Sequence, residues 1–233
     1  MLNHCSIILR GNFNPAIFQP EWFNRFKILP IQEIQWAEGE KPKTKEVPFA
    51  DGKFIISEVP KMMVLHNRAE IHFISFDLKV LPTKFECLTQ KRENFSSVKN
   101  LVVDTFRLLP HTPISAAGIN FAGDSEFDKN AGLLLKDLFS NKELQFKENF
   151  GDNYKIGGVL YSITDDLRLT LRLEESTKLQ NGIYYNFNFH REINTKAAEQ
   201  AIEAITLNFD NDIKKTIQII QNILGKPRKS WPI

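Results

Sequence analysis

Sulfur chemistry is nearly absent from this chain of 233 residues: it has two cysteines, Cys5 and Cys87. They lie far apart and belong to no metal-binding or redox spacing, so the expectation is two reduced, buried thiols. No run approaches the roughly 18 apolar residues needed to cross a bilayer. The opening Met1-Leu2-Asn3-His4-Cys5 lacks the charged region and apolar stretch of a signal peptide. Together these predict a soluble cytoplasmic protein with no membrane association. An excess of charge is missing too, since 30 basic and 28 acidic residues leave a net +2. That argues against a chain steered globally by polyanions, while leaving room for a local basic face.

Catalytic signatures are equally scarce. There is no Gly-x-Ser-x-Gly elbow, no phosphate-cradling glycine loop and no dinucleotide fingerprint. His4, His66, His72, His111 and His190 form no His-x-x-x-His or Glu-x-x-His pair on a helical stretch. Asp124, Glu126, Asp128 and Asn130 alternate like the start of a calcium loop. Lys129 and Leu135 stand where that loop needs glycine and a bidentate glutamate. No cofactor and no metal is expected. A hydrolase built on Asp165, Asp166 and His190 is the enzymatic reading that remains, and it is the third choice.

What the chain does contain is a hydrophobic share of 42%, a charged share of 25% and 19 phenylalanines against four tyrosines and three tryptophans. These are globular proportions with a bulky aromatic core. The elements come in an order that repeats. A strand at 6–13 ends at Asn14-Pro15, and a short helix follows from Pro20 with Trp22, Phe23 and Phe26 at helical spacing. The charged segment 39–51 reads as a mobile loop. Strands are predicted at 53–58, 62–66 and 70–81, with 84–89 extending the meander. A helix capped by Asn94 or Ser96 then carries the stripe Val98, Leu101, Val102, Thr105, Phe106 and Leu109.

The second half begins again with a strand at 114–121, whose small residues Ser115, Ala116, Ala117 and Gly118 imply close approach by something bulkier. A short helix around Leu133–Leu138 follows, and then strands at 154–164, 167–174 and 183–190. The last helix runs from Asn194 or Thr195 to Gly225, with Ala198, Ala201, Ile202, Ile205, Phe209, Ile213, Ile217, Ile220 and Leu224 on its apolar side. Asn208 through Asp212 is a polar patch and the candidate position for a kink. The pattern predicts an α+β fold: a curved antiparallel sheet from two related strand–helix–strands–helix halves, with the long helices on one face. The halves are 1–112 and 113–233, read as one continuous unit. A single irregular α+β domain is the alternative, because no residue-level repeat is visible.

The last hairpin alternates cleanly. Leu167, Leu169, Leu171 and Leu173 face one way, as do Ile183, Tyr185, Phe187 and Phe189. The other face would carry Arg168, Thr170, Arg172, Tyr184, Asn186, Asn188 and His190, which are the candidate binding residues. Arginine, asparagine and tyrosine on a sheet suit the polar rim of a protein partner, or phosphates and bases; an ordinary solvated face is the plain alternative. Asn120, set in an apolar strand, is expected to tie the first strand to its own at the centre of the sheet.

The opening Gly11-Asn12-Phe13-Asn14-Pro15-Ala16-Ile17-Phe18, with Pro20 and Trp22-Phe23, resembles the start of an uncharacterised bacterial protein family. The run Phe106-Arg107-Leu108-Leu109-Pro110-His111-Thr112-Pro113-Ile114 into Gly118-Ile119-Asn120 is similar to the same family at mid-chain. The resemblance implies a bacterial origin and a shared fold, and it brings no activity or site residue with it. The function expected is non-catalytic binding or assembly in a bacterial multi-component system, such as phage defence or a toxin–antitoxin-like pair. A protein partner or self-association is favoured, and nucleic-acid binding by the open sheet face is the runner-up.

Overall fold

The computed structural model describes residues 2–39, 44–49, 52–57, 61–139, 155–164 and 166–228. The first half contributes β1 (Leu2–Gly11), α1 (Pro20–Arg25), α2 (Ile31–Glu38), β2 (Thr44–Phe49), β3 (Gly52–Ser57), β4 (Met62–Leu65), β5 (Arg68–His72), β6 (Asp77–Leu81), β7 (Lys84–Thr89) and α3 (Phe95–Leu108). The second contributes β8 (Ile114–Glu126), α4 (Ala131–Phe139), β9 (Gly158–Ile163), β10 (Arg168–Glu175), β11 (Gly182–Glu192) and α5 (Ala198–Leu224). Nine strands form one curved antiparallel sheet that does not close, in the order β4-β5-β6-β7-β1-β8-β11-β10-β9, and β2–β3 is a separate hairpin. This is an α+β fold.

Each half uses its chain the same way. Its first strand pairs with the last strand of its meander, β1 with β7 and β8 with β11. The two first strands then pair antiparallel with each other at the centre, Ser6 opposite Asn120 and Ile7 opposite Ile119. Alternation decides which way each residue looks. Cys5, Ile7, Leu9, Ile119, Phe121, Phe187 and Phe189 are buried on one face. Phe95 of α3 and Phe209 of α5 both rest on Phe121, with ring centroids 5.9 and 5.5 Å away. Phe106 of α3 meets Phe85 of β7 edge-on at 5.0 Å. The long helices therefore share one side of the sheet. Cys5 and Cys87 are free, and burial pushes both thiols up.

Sequence expectations change in three regions. The strand predicted at 70–81 is two strands, because 73–76 is a turn that buries Phe73 and Phe76 and exposes Ile74. Distant side chains hold that turn. The buried Glu33 carboxylate accepts from the Ile74 amide at 2.6 Å, while Thr89 and Asn94 donate to the Ser75 carbonyl at 2.8 and 3.0 Å. Asn94 thus occupies the N-cap position of α3 without capping it. The segment read as a mobile loop holds β2, paired with β3 from Thr44↔Ser57 to Phe49↔Gly52; its residues 40–43, 50 and 51 lie outside the described residues.

The third change concerns the helix α5, which is continuous over 27 residues with no break at 208–212. Asp212 lies on its buried side and takes two hydrogen bonds from the Arg191 guanidinium, both 2.8 Å. Arg191 follows the inward row of β11, so this buried pair joins sheet to helix. Burial pushes the Asp212 carboxyl up, against the downward pull of Arg191. Breaking such a pair from one side strands the other charge and costs about 3–5 kcal/mol. Asp212→Ala is therefore expected to lose about that much stability in urea unfolding, and the double change Arg191→Met with Asp212→Leu to recover most of it.

Candidate functional site

The face opposite the helices is assembled from the outward residues of the same strands. Registers of β10 with β11 set Arg168 opposite His190, Thr170 opposite Asn188, Arg172 opposite Asn186 and Glu174 opposite Tyr184. Leu169, Leu171, Leu173, Ile183, Tyr185, Phe187 and Phe189 are all buried behind them. The seven predicted residues therefore lie together on one surface. Arg168 and Arg172 are exposed, and the other five are half-buried.

Most of this row is already hydrogen-bonded within the face. Arg172 donates to Glu174 through Nη2 at 2.7 Å and Nε at 3.2 Å. Asn186 Nδ2 donates to the Tyr184 hydroxyl at 3.2 Å, and His190 Nε2 lies 2.9 Å from Glu192 Oε1. Asn188 Nδ2 donates to Asn120 Oδ1, and Asn120 Nδ2 donates in turn to Ser6 Oγ at 3.2 Å and the Ser6 carbonyl at 3.4 Å. A chain of amides thus crosses three strands, β11, β8 and β1. It includes the tie between β1 and β8 expected of Asn120. Arg168 makes no ion pair among the described residues.

Small residues sit along the β8 stretch of this surface. Ala116, Gly118 and Ala122 are buried there, on the face opposite α3 and α5. Their neighbours in register are larger: Arg10 and Glu192 beside Ala116, Ile8 and His190 beside Gly118, His4 and Asn186 beside Ala122. A β-carbon on Gly118 would come within 3.3 Å of Asn188 Nδ2, so glycine leaves the space that this amide fills. The bulk expected near these residues is the pair of flanking strands.

Sequence reasoning missed that the surface continues across the first half. Glu70 bridges Arg68 at 2.6 Å and Lys79 at 2.8 Å, and these bonds, Lys79's the stronger, hold its carboxyl below the usual range. Lys84 pairs with Glu86 at 2.6 Å and His72 with Asp77 at 2.7 Å. The cations Arg10, Arg68, Lys79, Lys84, Arg168 and Arg172 thus share the surface with Glu70, Asp77, Glu86, Asp124, Glu126, Glu174 and Glu192. Charge is balanced among the described residues of the face. Period-two alternation in β5, β6 and β7 was the signal for it.

The suggested hydrolytic group is not assembled among the described residues. Asp165 lies outside them, Asp166 accepts from Thr164 Oγ1 at 3.1 Å, and His190 bonds Glu192. The acidic run from Asp124 is structural: buried Asp124 accepts from Ser176 Oγ at 2.6 Å and fixes the turn before β11. No cluster of three His, Cys, Asp or Glu side chains suited to a metal occurs among the described residues, and no helix there is long and apolar enough to cross a membrane.

Because Asn188 feeds the amide chain, Asn188→Ala is expected to lower stability by about 0.5–1.5 kcal/mol. Arg168→Ala should stay within about 0.5 kcal/mol of the parent. Chemical denaturation checks both, and equal losses would show that the amide chain carries no weight. Searches against family models and against curated proteins found no match for this chain.

Proposed function

We propose that this chain is a non-catalytic binding or assembly protein of a bacterial multi-component system, of the phage-defence or toxin–antitoxin-like kind, that engages a protein partner through its open sheet face. The observation that carries this reading is the balance of the surface. Among the described strand residues six cations share it with seven carboxylates, most of them paired within the face, and Lys178 beside β10 reaches Asp124 at 3.9 Å. A surface that collects phosphates needs a positive excess, because its affinity comes from neutralising them. A protein partner needs matched polar groups beside aromatic and arginine contacts. Here exposed Arg172 lies diagonal to Tyr184, and Arg168 and Arg172 flank Tyr161 of β9. The amide chain from Ser6 to Asn188 supports the reading further, since ordered side chains lose little freedom on binding.

Co-expression with the products of adjacent genes, followed by affinity capture, tests it. A stable complex is expected, and Arg172→Glu should weaken it by roughly tenfold or more, as central arginines do. The contrary result is salt-sensitive retention on a nucleic-acid column that Arg168→Ala and Arg172→Ala abolish. That outcome would replace the protein partner with a polyanion.

A further inference from the structure

The two edges of the sheet differ. Edge strands expose a row of unpaired backbone groups, and proteins blunt them by keeping them short or charged. At one edge β4 has only four residues. At the other, β9 runs Gly-Val-Leu-Tyr-Ser-Ile over six residues without a charge. Val159, Tyr161 and Ile163 are 54, 72 and 64% exposed, and Leu160 is exposed as well. The strand is nevertheless firmly placed: it pairs with β10 from Gly158↔Leu173 to Ile163↔Arg168, and the Phe139 ring of α4 packs where a Gly158 β-carbon would be.

The hydrogen-bond phase of β9 is fixed by its turn. The Thr164 amide donates to the Leu167 carbonyl at 2.9 Å. Alternate residues of an antiparallel strand point their N–H and C=O to opposite neighbours. Ser162, Leu160 and Gly158 therefore bond β10, and Val159, Tyr161 and Ile163 direct theirs outward from the edge.

We infer that β9 pairs antiparallel with β9 of a second copy of this chain, about a two-fold axis at Tyr161. The pairing rests on the binding reading above and names one of its partners. An axis normal to the sheet is the one that reverses the strand while joining edge to edge, so opposed residues share a face. With Tyr161 opposite Tyr161, Val159 falls opposite Ile163 at both ends. All three residues with outward backbone groups then meet one another, and each opposed pair exchanges two hydrogen bonds. The side chains of these pairs form a continuous apolar strip of β-branched and aromatic residues, which stabilises cross-strand contacts. The ends match in charge as well. Lys155, 71% exposed though 2.7 Å from Glu175, lies before the strand, and exposed Asp166 lies after it. Antiparallel pairing brings the Lys155 end of one copy to the Asp166 end of the other. The result joins two open faces into one platform.

Light scattering over a concentration series, together with three variants, tests the pairing. The parent is expected to show the mass of two chains. Tyr161→Pro removes an amide that bonds nothing among the described residues, so it should keep a cooperative melt while raising the dissociation constant at least about tenfold. Tyr161→Lys, which sets like charges on the axis, should do the same. Tyr161→Cys should cross-link copies with a short thiol-bridging reagent, since opposed Cα atoms in a hydrogen-bonded pair lie about 5.5 Å apart; the native thiols are buried. A single-chain mass throughout overturns the inference, as does a dimer unaffected by Tyr161→Pro and Tyr161→Lys. A dimer of the Tyr161→Cys variant that fails to cross-link overturns the stated register. Capture of a neighbouring gene product by a monomeric variant would leave the binding reading standing and confine the failure to the edge.

Discussion

The antiparallel seam between β1 and β8 is the constraint on which the structure depends. Its register places Ile119 and Phe121 on one side and Asn120 between them on the other. A slip by one residue would bury Asn120 under the helices and expose both apolar neighbours. The seam is fixed from both sides against that. Phe95 and Phe209 close on Phe121, and the Asn120 amide reaches Ser6. One strand therefore supplies both the centre of the core and the centre of the polar face. Because α3 and α5 meet the same phenylalanine, they cover the same side and leave the other open.

The buried Arg191–Asp212 pair acts on the same arrangement from its periphery. Buried ion pairs are poor sources of net stability, since desolvation offsets most of their attraction. They are demanding about position, because a guanidinium and a carboxylate bond twice only in one alignment. Here the two bonds fasten the end of β11 to the middle of α5. We read the pair as a device that sets how the helix lies across the sheet, with the hydrophobic contacts supplying the stabilisation.

Much of this was legible in the sequence, and the exceptions have physical causes. The alternation of Leu169 to Leu173 and of Ile183 to Phe189 was readable because each strand is buried on one face, and Asn120 stood out as an amide among apolar residues. The same alternation, carried one step further, would have turned Arg191 inward. The α5 stripe likewise passes through Asp212 and Thr216 at helical spacing, although neither is apolar. The turn at 73–76 was hidden because three of its four residues are apolar and its hydrogen bonds come from Glu33, Thr89 and Asn94, as many as 42 positions away. The exposure of β9 could not be read locally at all. Its residues suit an interior strand, and only the order of strands in the sheet makes it an edge.

On this account the two halves are one cooperative body whose face is held open by a shared seam. Amide hydrogen exchange resolved by residue tests that most directly. The paired amides of β1 and β8 should exchange slowest, with a single opening free energy equal to that of global unfolding. Two separate free energies, one for the strands through β7 and another for those from β8 onward, would contradict it. The halves would then open independently, and no continuous platform would exist.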